Sequence, residues 1–110
     1  MHKWNANIAT ASGRSFKGRA KLVSEHLVSV RVHDVVARHT ECQIAIALPE
    51  QPDGDVLRQV NVLCSVLQVV LGANGIRLEM TVESILSEDR QVFLAHCPKT
   101  NKQKASRSKQ

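Results

Sequence analysis

Apolar and polar residues alternate along most of the first 85 positions of this chain. A period of two puts successive side chains on opposite faces of a pleated strand, so it predicts strands buried on one side. The clearest run is Ile76, Leu78, Met80 and Val82, interleaved with Arg77, Glu79, Thr81 and Glu83. Val28, Val30 and Val32 alternate with Ser29, Arg31 and His33, giving a strand over Leu27 to His33. Cys42, Ile44, Ile46 and Leu48 alternate with Gln43, Ala45 and Ala47. Pro49 ends that strand, because proline has no N–H to give the ladder. From Phe16 to Val23, Lys17, Arg19 and Lys21 occupy one face and Gly18, Ala20 and Leu22 the other. Asn5 to Ala11, with Ile8 as its one strong strand former, reads as an edge strand.

Leu57 to Leu71 is apolar on both faces. Val60, Val62, Cys64 and Val66 form one row, and Leu63, Leu67 and Val69 the other. A strand covered on both sides gives this pattern, and so does a bulge that swaps the facing residues. A buried helix is the competing reading, and the β-branched content argues against it. Turn chemistry separates the runs: Ser12 to Ser15 around Gly13, the polar loop Glu50 to Asp55, and Asn74-Gly75, a strong hairpin signal. A helix closes the ordered part. Ser87 is the expected N-cap, Glu88 and Asp89 suit the positive end of the helix dipole, and Pro98 stops it. Six strands and one terminal helix predict a mainly β protein, a small six-stranded antiparallel barrel. Closure would remove the exposed edges. The helix is expected to cap one opening or to lie on the long strand.

Composition adjusts this picture. With Trp4, Phe16 and Phe93 as the only aromatics, the core must be built from Val, Ile, Leu and Ala. At 110 residues there is one core and little room for a deep catalytic cleft. Cys42, Cys64 and Cys97 are odd in number and far apart, which is not a disulfide framework and fits a reduced, cytoplasmic setting. The first residues hold no long apolar run, so no secretory leader is expected, and no apolar stretch is long enough to span a membrane.

The net charge of +5 is unevenly placed. Residues 1–40 hold seven basic and two acidic residues, and residues 41–97 three basic and eight acidic ones. Lys99, Lys102, Lys104, Arg107 and Lys109 supply the excess in a polar tail that lacks the apolar residues to order itself. The expected organisation is an arm over residues 1–4, a barrel with its helix over 5–97 and a disordered basic tail over 98–110.

No catalytic motif, phosphate-cradling glycine loop or metal-ligand spacing stands out, so neither catalysis nor a bound metal or cofactor is expected. His39 and Cys42, and the neighbours His96 and Cys97, are incidental pairs. If the second and third strands pair, Arg19, Lys21, Arg31 and His33 gather on one solvent face. The basic row Lys17, Arg19, Lys21 and Arg31 can hold phosphates, or it can be a solvated face that blunts a strand edge. Trp4 can fold back over the barrel or contact a partner.

The order of features resembles the PilZ domain, the bacterial receptor module for cyclic di-GMP. The matching stretches are Gly18 to Ser24, Val28 to Val32, Cys42 to Pro49, Val60 to Val70, Gly75 to Leu78 and the terminal helix. The resemblance implies a nucleotide site of two parts. One is a pair of arginines four apart before the first strand. The other is an acid or amide, a serine and a glycine after the second. The second element falls on residues 22–27, where only Ser24 matches, with Leu22 and Leu27 at the other two places. Near the N-terminus stand only His2, Lys3 and Trp4. The expectation is a degenerate member acting as an adaptor, in contact with another bacterial protein of motility, pilus or envelope signalling. Trp4 and Arg31 are its candidate contacts. The alternative is cyclic di-GMP binding on a non-standard surface of Arg14, Lys17, Arg19, Lys21 and Ser24. A third reading, a nucleic-acid-binding barrel, suffers from the scarcity of aromatic platforms for bases.

Overall fold

The computed structural model describes residues 3–51, 54–73 and 75–98. The tail from 99 onward, Asn74 of the expected hairpin turn and Asp53 of the polar loop lie outside them. The elements are β1 (Trp4–Thr10), β2 (Ser15–Ser24), β3 (Leu27–Val32), β4 (Glu41–Pro49), β5 (Leu57–Gly72), β6 (Gly75–Ile85) and α1 (Ser87–Ala95). All six strands join one closed antiparallel barrel in the order β1-β2-β3-β6-β5-β4. The expected architecture is therefore present.

The weak first strand is not an edge. Ile8 lies opposite Phe16 of β2 and, on its other side, opposite Ile44 of β4. Closure pairs β1 twice, which compensates for its poor strand composition. Trp4, expected in a preceding arm, is the first residue of β1.

Inward rows fill the barrel. Ala6, Ile8, Leu22, Val28, Val30, Ile44, Ile46, Val60, Val62, Leu78 and Met80 are all buried in one cluster. Gly18 belongs to this side, and a Cβ there would stand 2.6 Å from the carbonyl oxygen of Arg31 and 2.8 Å from a methyl of Val32. Only glycine allows β3 so close at that point.

The β5–β6 ladder contains one bulge on each strand. Leu67 is the extra residue between the pairs Val66↔Met80 and Gln68↔Glu79, and Glu83 the extra residue of β6 between Leu63↔Ser84 and Cys64↔Val82. After Leu67 the facing residues swap, and Val69 packs against the core. The helix does not cover the outer row, so Leu63 and Leu67 remain exposed.

Helix α1 closes the barrel end formed by the start of β1, the end of β4 and the start of β5. Phe93 is fully buried there. Ser87 is not the cap: that position is Leu86, with no side-chain cap bond. The helix start is held by Asp89 instead. Its Oδ1 accepts from Arg58 Nε at 3.1 Å and pairs with the same guanidinium's second nitrogen at 2.9 Å. Its Oδ2 accepts the backbone N–H of Asn61 at 3.2 Å. Residue 61 lies one place before the β5–β6 ladder, which runs from Val62↔Ile85. The carboxylate thus takes the place of a missing strand partner. Among the described residues, no helix is long and apolar enough to cross a membrane.

All three cysteines are free and buried. Cys42 and Cys64 face each other across β4 and β5. Burial pushes the Cys64 thiol up to about 12, with lesser contributions from Cys42 and Glu83, and the Cys97 thiol up to about 11, with a lesser one from Glu25. Buried neutral thiols of this kind are core filling.

Two outcomes follow from this packing. Asp89→Ala removes a buried acceptor and strands Arg58 and the Asn61 N–H, so urea titration should show a loss of about 1–3 kcal/mol. The raised thiols stabilise the fold fully below pH 9, the unfolded value. Above it the unfolded chain sheds these protons while the folded chain keeps them, so stability should fall from pH 9 toward about 12. Urea midpoints recorded against pH check this. A thiol reagent at pH 8 should label the cysteines only as fast as the chain opens.

Candidate functional site

The outward rows of β2, β3 and β6 form one basic face. Strand pairing places Arg19 opposite Arg31, and Arg31 opposite Arg77. Directly opposed residues point to the same side of a sheet, so three arginines stand in a single row across three strands. The next row runs Lys21, Ser29, Glu79. Neighbouring strands are about 4.8 Å apart and alternate residues about 6.8 Å apart. The two rows therefore bring their charged heads within reach of one small ligand.

Lys3, Arg19, Lys21, Arg31 and Arg77 line an open cleft of about 360 Å³, with Val23, Leu27 and Ser29 as its uncharged surface. Glu79 is the one acid in the lining, and its carboxylate lies 3.3 Å from Arg77. Arg19 also reaches the backbone carbonyl of Lys3, at 3.4 Å, which ties the start of β1 to this face. Five basic groups against one acid suit an anion, and arginine forks suit phosphate or carboxylate oxygens.

A second, apolar cleft of about 580 Å³ adjoins it and shares Lys21 and Val23. Trp4, Leu22, Ala95, His96 and Pro98 complete that lining. The Trp4 ring meets His96 edge-on, with centroids 5.3 Å apart. His96 Nε2–H donates to the carbonyl of Pro49 at 2.8 Å, because a carbonyl oxygen only accepts.

The candidate residues separate cleanly. Arg19, Lys21 and Arg31 come together as expected from pairing β2 with β3. Lys17 lies on the same strand face, opposite Asn7 and outside the cleft lining. Arg14 is at the other end of the barrel, over the Phe16 ring at 5.5 Å and bonded to the carbonyl of Val35. Ser24 serves the β2–β3 turn, where its Oγ accepts the His26 N–H at 3.1 Å. Leu22 points into the barrel and is buried. Sequence reasoning missed Arg77, Lys3 and Ser29. Their outward positions were legible, but the pairing of β6 with β3 was not. Among the described residues no group of three metal-ligating side chains is close enough to hold an ion.

Closure of the barrel also removes one explanation of the basic row. Bases can protect an open strand edge. Here Arg19 is paired with Asn5 and Arg31, Arg31 with Arg19 and Arg77, and Arg77 with Arg31 and Val70, so each of the three arginines has a strand partner on both sides.

No protein-family model matches the chain, and no curated protein matches it. A solved structure does: that of the Bacillus subtilis inhibitor of motility, MotI/DgrA, with a TM-score of 0.71 at 15% sequence identity. The match covers 96% of this chain and 49% of that one, so the chain spans about half the length of its structural neighbour. The barrel has a PilZ-like fold. At this identity the likeness speaks for the fold alone.

Strand pairing sets the arginine row side by side in the PilZ-like barrel. Like charges directly opposite each other on a sheet are unfavourable. Arg19→Gln should leave the urea-unfolding free energy within about 0.5 kcal/mol of the parent, with any gain greatest at low salt and fading as salt is added. A loss above about 1 kcal/mol would show that the row is structural.

Proposed function

We propose that this chain is a non-enzymatic, PilZ-like signalling adaptor. Its output is contact with another bacterial protein, and its input is an anionic ligand of the cyclic di-GMP type bound on the outer face of β2, β3 and β6. One observation carries the input: the row Arg19–Arg31–Arg77, whose members are each paired on both sides and so protect no edge. A dinucleotide offers two phosphates to that row and to Lys21. Its flat bases suit the adjoining cleft beside Trp4 and His96. The adaptor role draws on the structural neighbour, whose name states inhibition of motility. Partners in motility, pilus or envelope signalling follow from the same likeness.

A second reading is an adaptor that has lost the nucleotide altogether. The place of Leu22 favours it, because a residue turned into the barrel core supplies no polar contact to an outer ligand. Nucleic acid fits less well: the basic cleft contains no aromatic side chain on which a base could stack.

Isothermal calorimetry with cyclic di-GMP at low salt separates the first two readings. Binding on the order of micromolar is expected, weakened about tenfold or more by Arg31→Ala or Arg77→Ala and unchanged by Arg14→Ala. Absence of heat with the parent protein would remove the nucleotide and leave protein contact as the whole function.

A further inference from the structure

The barrel wall is complete only where β4 accompanies β5. The β4–β5 ladder reaches Glu41↔Ser65. The preceding loop carries the contact one step further, with His39 N–H on the carbonyl of Val66 and Val66 N–H on that of Thr40. Arg38 Nε then reaches the carbonyl of Leu67. Beyond this point β5 continues from Gln68 to Gly72. It is paired with β6 on one side, through Val69↔Leu78, Val70↔Arg77, Leu71↔Ile76 and Gly72↔Gly75. On the other side no strand among the described residues pairs with it.

A two-residue connection makes Gly72 and Gly75 a hydrogen-bonded pair. Alternation along an antiparallel ladder then makes Val70↔Arg77 another. Val69 and Leu71 consequently turn their N–H and C=O groups toward the open side. Proteins guard such edges with charge, proline or a covering loop. Residues 67–72 contain neither charge nor proline. Leu67 is 47% exposed and Leu71 72% exposed.

We propose that this edge pairs, antiparallel, with the same edge of a second copy of the chain, about a two-fold axis at Val70. In that register Val69 meets the copy's Leu71, and Leu71 its Val69. Both are outward-facing backbone positions, so about four N–H···O bonds form across the seam. The side chains match too, with valine against leucine on one face and valine against valine on the other. Self-complementarity of this kind is what an isologous contact requires. The uncharged segment also lets two chains of net charge +5 meet without opposing like charges at the edge itself.

The pairing has an electrostatic signature. Val70 lies directly opposite Arg77, so the dimer joins two basic faces side by side. The two Arg77 side chains would then stand about three strand spacings apart, about 14 Å. That exceeds the screening length at 0.15 M salt, about 8 Å, but not that at 0.01 M, about 30 Å. Added salt therefore favours association.

Sedimentation velocity of the full chain, from about 10 to about 500 micromolar, tests this, since so short an edge gives a weak interface. The sedimenting mass should move toward twice that of the chain as concentration rises, and further at 0.5 M than at 0.02 M salt. Val70→Lys should weaken association about tenfold or more. Mixing V70K with V70E should restore it, which separates a lost contact from a damaged fold. A parent chain that stays monomeric throughout this range at high salt overturns the proposal. So does a V70K protein that self-associates as well as the parent.

Discussion

Closure of the barrel through β1 is the constraint on which the other features depend. A strand of seven residues, most of them small or polar, is a weak sheet edge, yet β1 is bonded on both sides, to β2 and to β4. Its inward residues Ala6 and Ile8 are buried, and the small Ala6, Gly18 and Ala20 let neighbouring walls come close. Without β1, β2 and β4 would each expose a row of unpaired backbone groups. The sequence can tolerate a weak strand here because the topology supplies two partners for Ala6, Asn7, Ile8 and Ala9.

The same closure gives the surface charges their meaning. On an open sheet, alternating Lys and Arg would be read as edge protection. Arg19, Arg31 and Arg77 are each paired on both sides and protect no edge, and lining them up works against stability. The barrel accepts that small cost because its core and its lid are strong elsewhere. Phe93 plugs one end, and Asp89 locks the lid to β5 through Arg58 and the backbone N–H of Asn61. Placing the ion pair at the rim, where Arg58 keeps part of its hydration, avoids the full desolvation cost of a buried pair. Closure leaves the end of β5 with one partner among the described residues, since β5 outruns β4 there with an uncharged segment.

The clefts also divide by chemistry. The outer walls of β2, β3 and β6 carry charge because their inward rows already fill the core. The neighbouring cleft is apolar because it lies at the seam between lid and barrel, where Trp4 and Pro98 are only partly covered. Lys21 stands at the junction of the two.

Much of this was readable from residue order alone. The six strands, their inward faces and the grouping of Arg19, Lys21 and Arg31 all follow from period-two burial and from a short hairpin, which are local properties. The helix was legible from Glu88, Asp89 and Pro98, though its start was placed on Ser87, since the pull of Arg58 on Asp89 is invisible without the fold. What only the tertiary structure decided is which strands are neighbours. Placing β6 beside β3 brings Arg77 to Arg31, and stopping β4 short of the end of β5 leaves Val69 and Leu71 uncovered. Alternation specifies the face on which a residue sits. The partner it meets there depends on how distant strands come together around a shared core, and no local pattern encodes that.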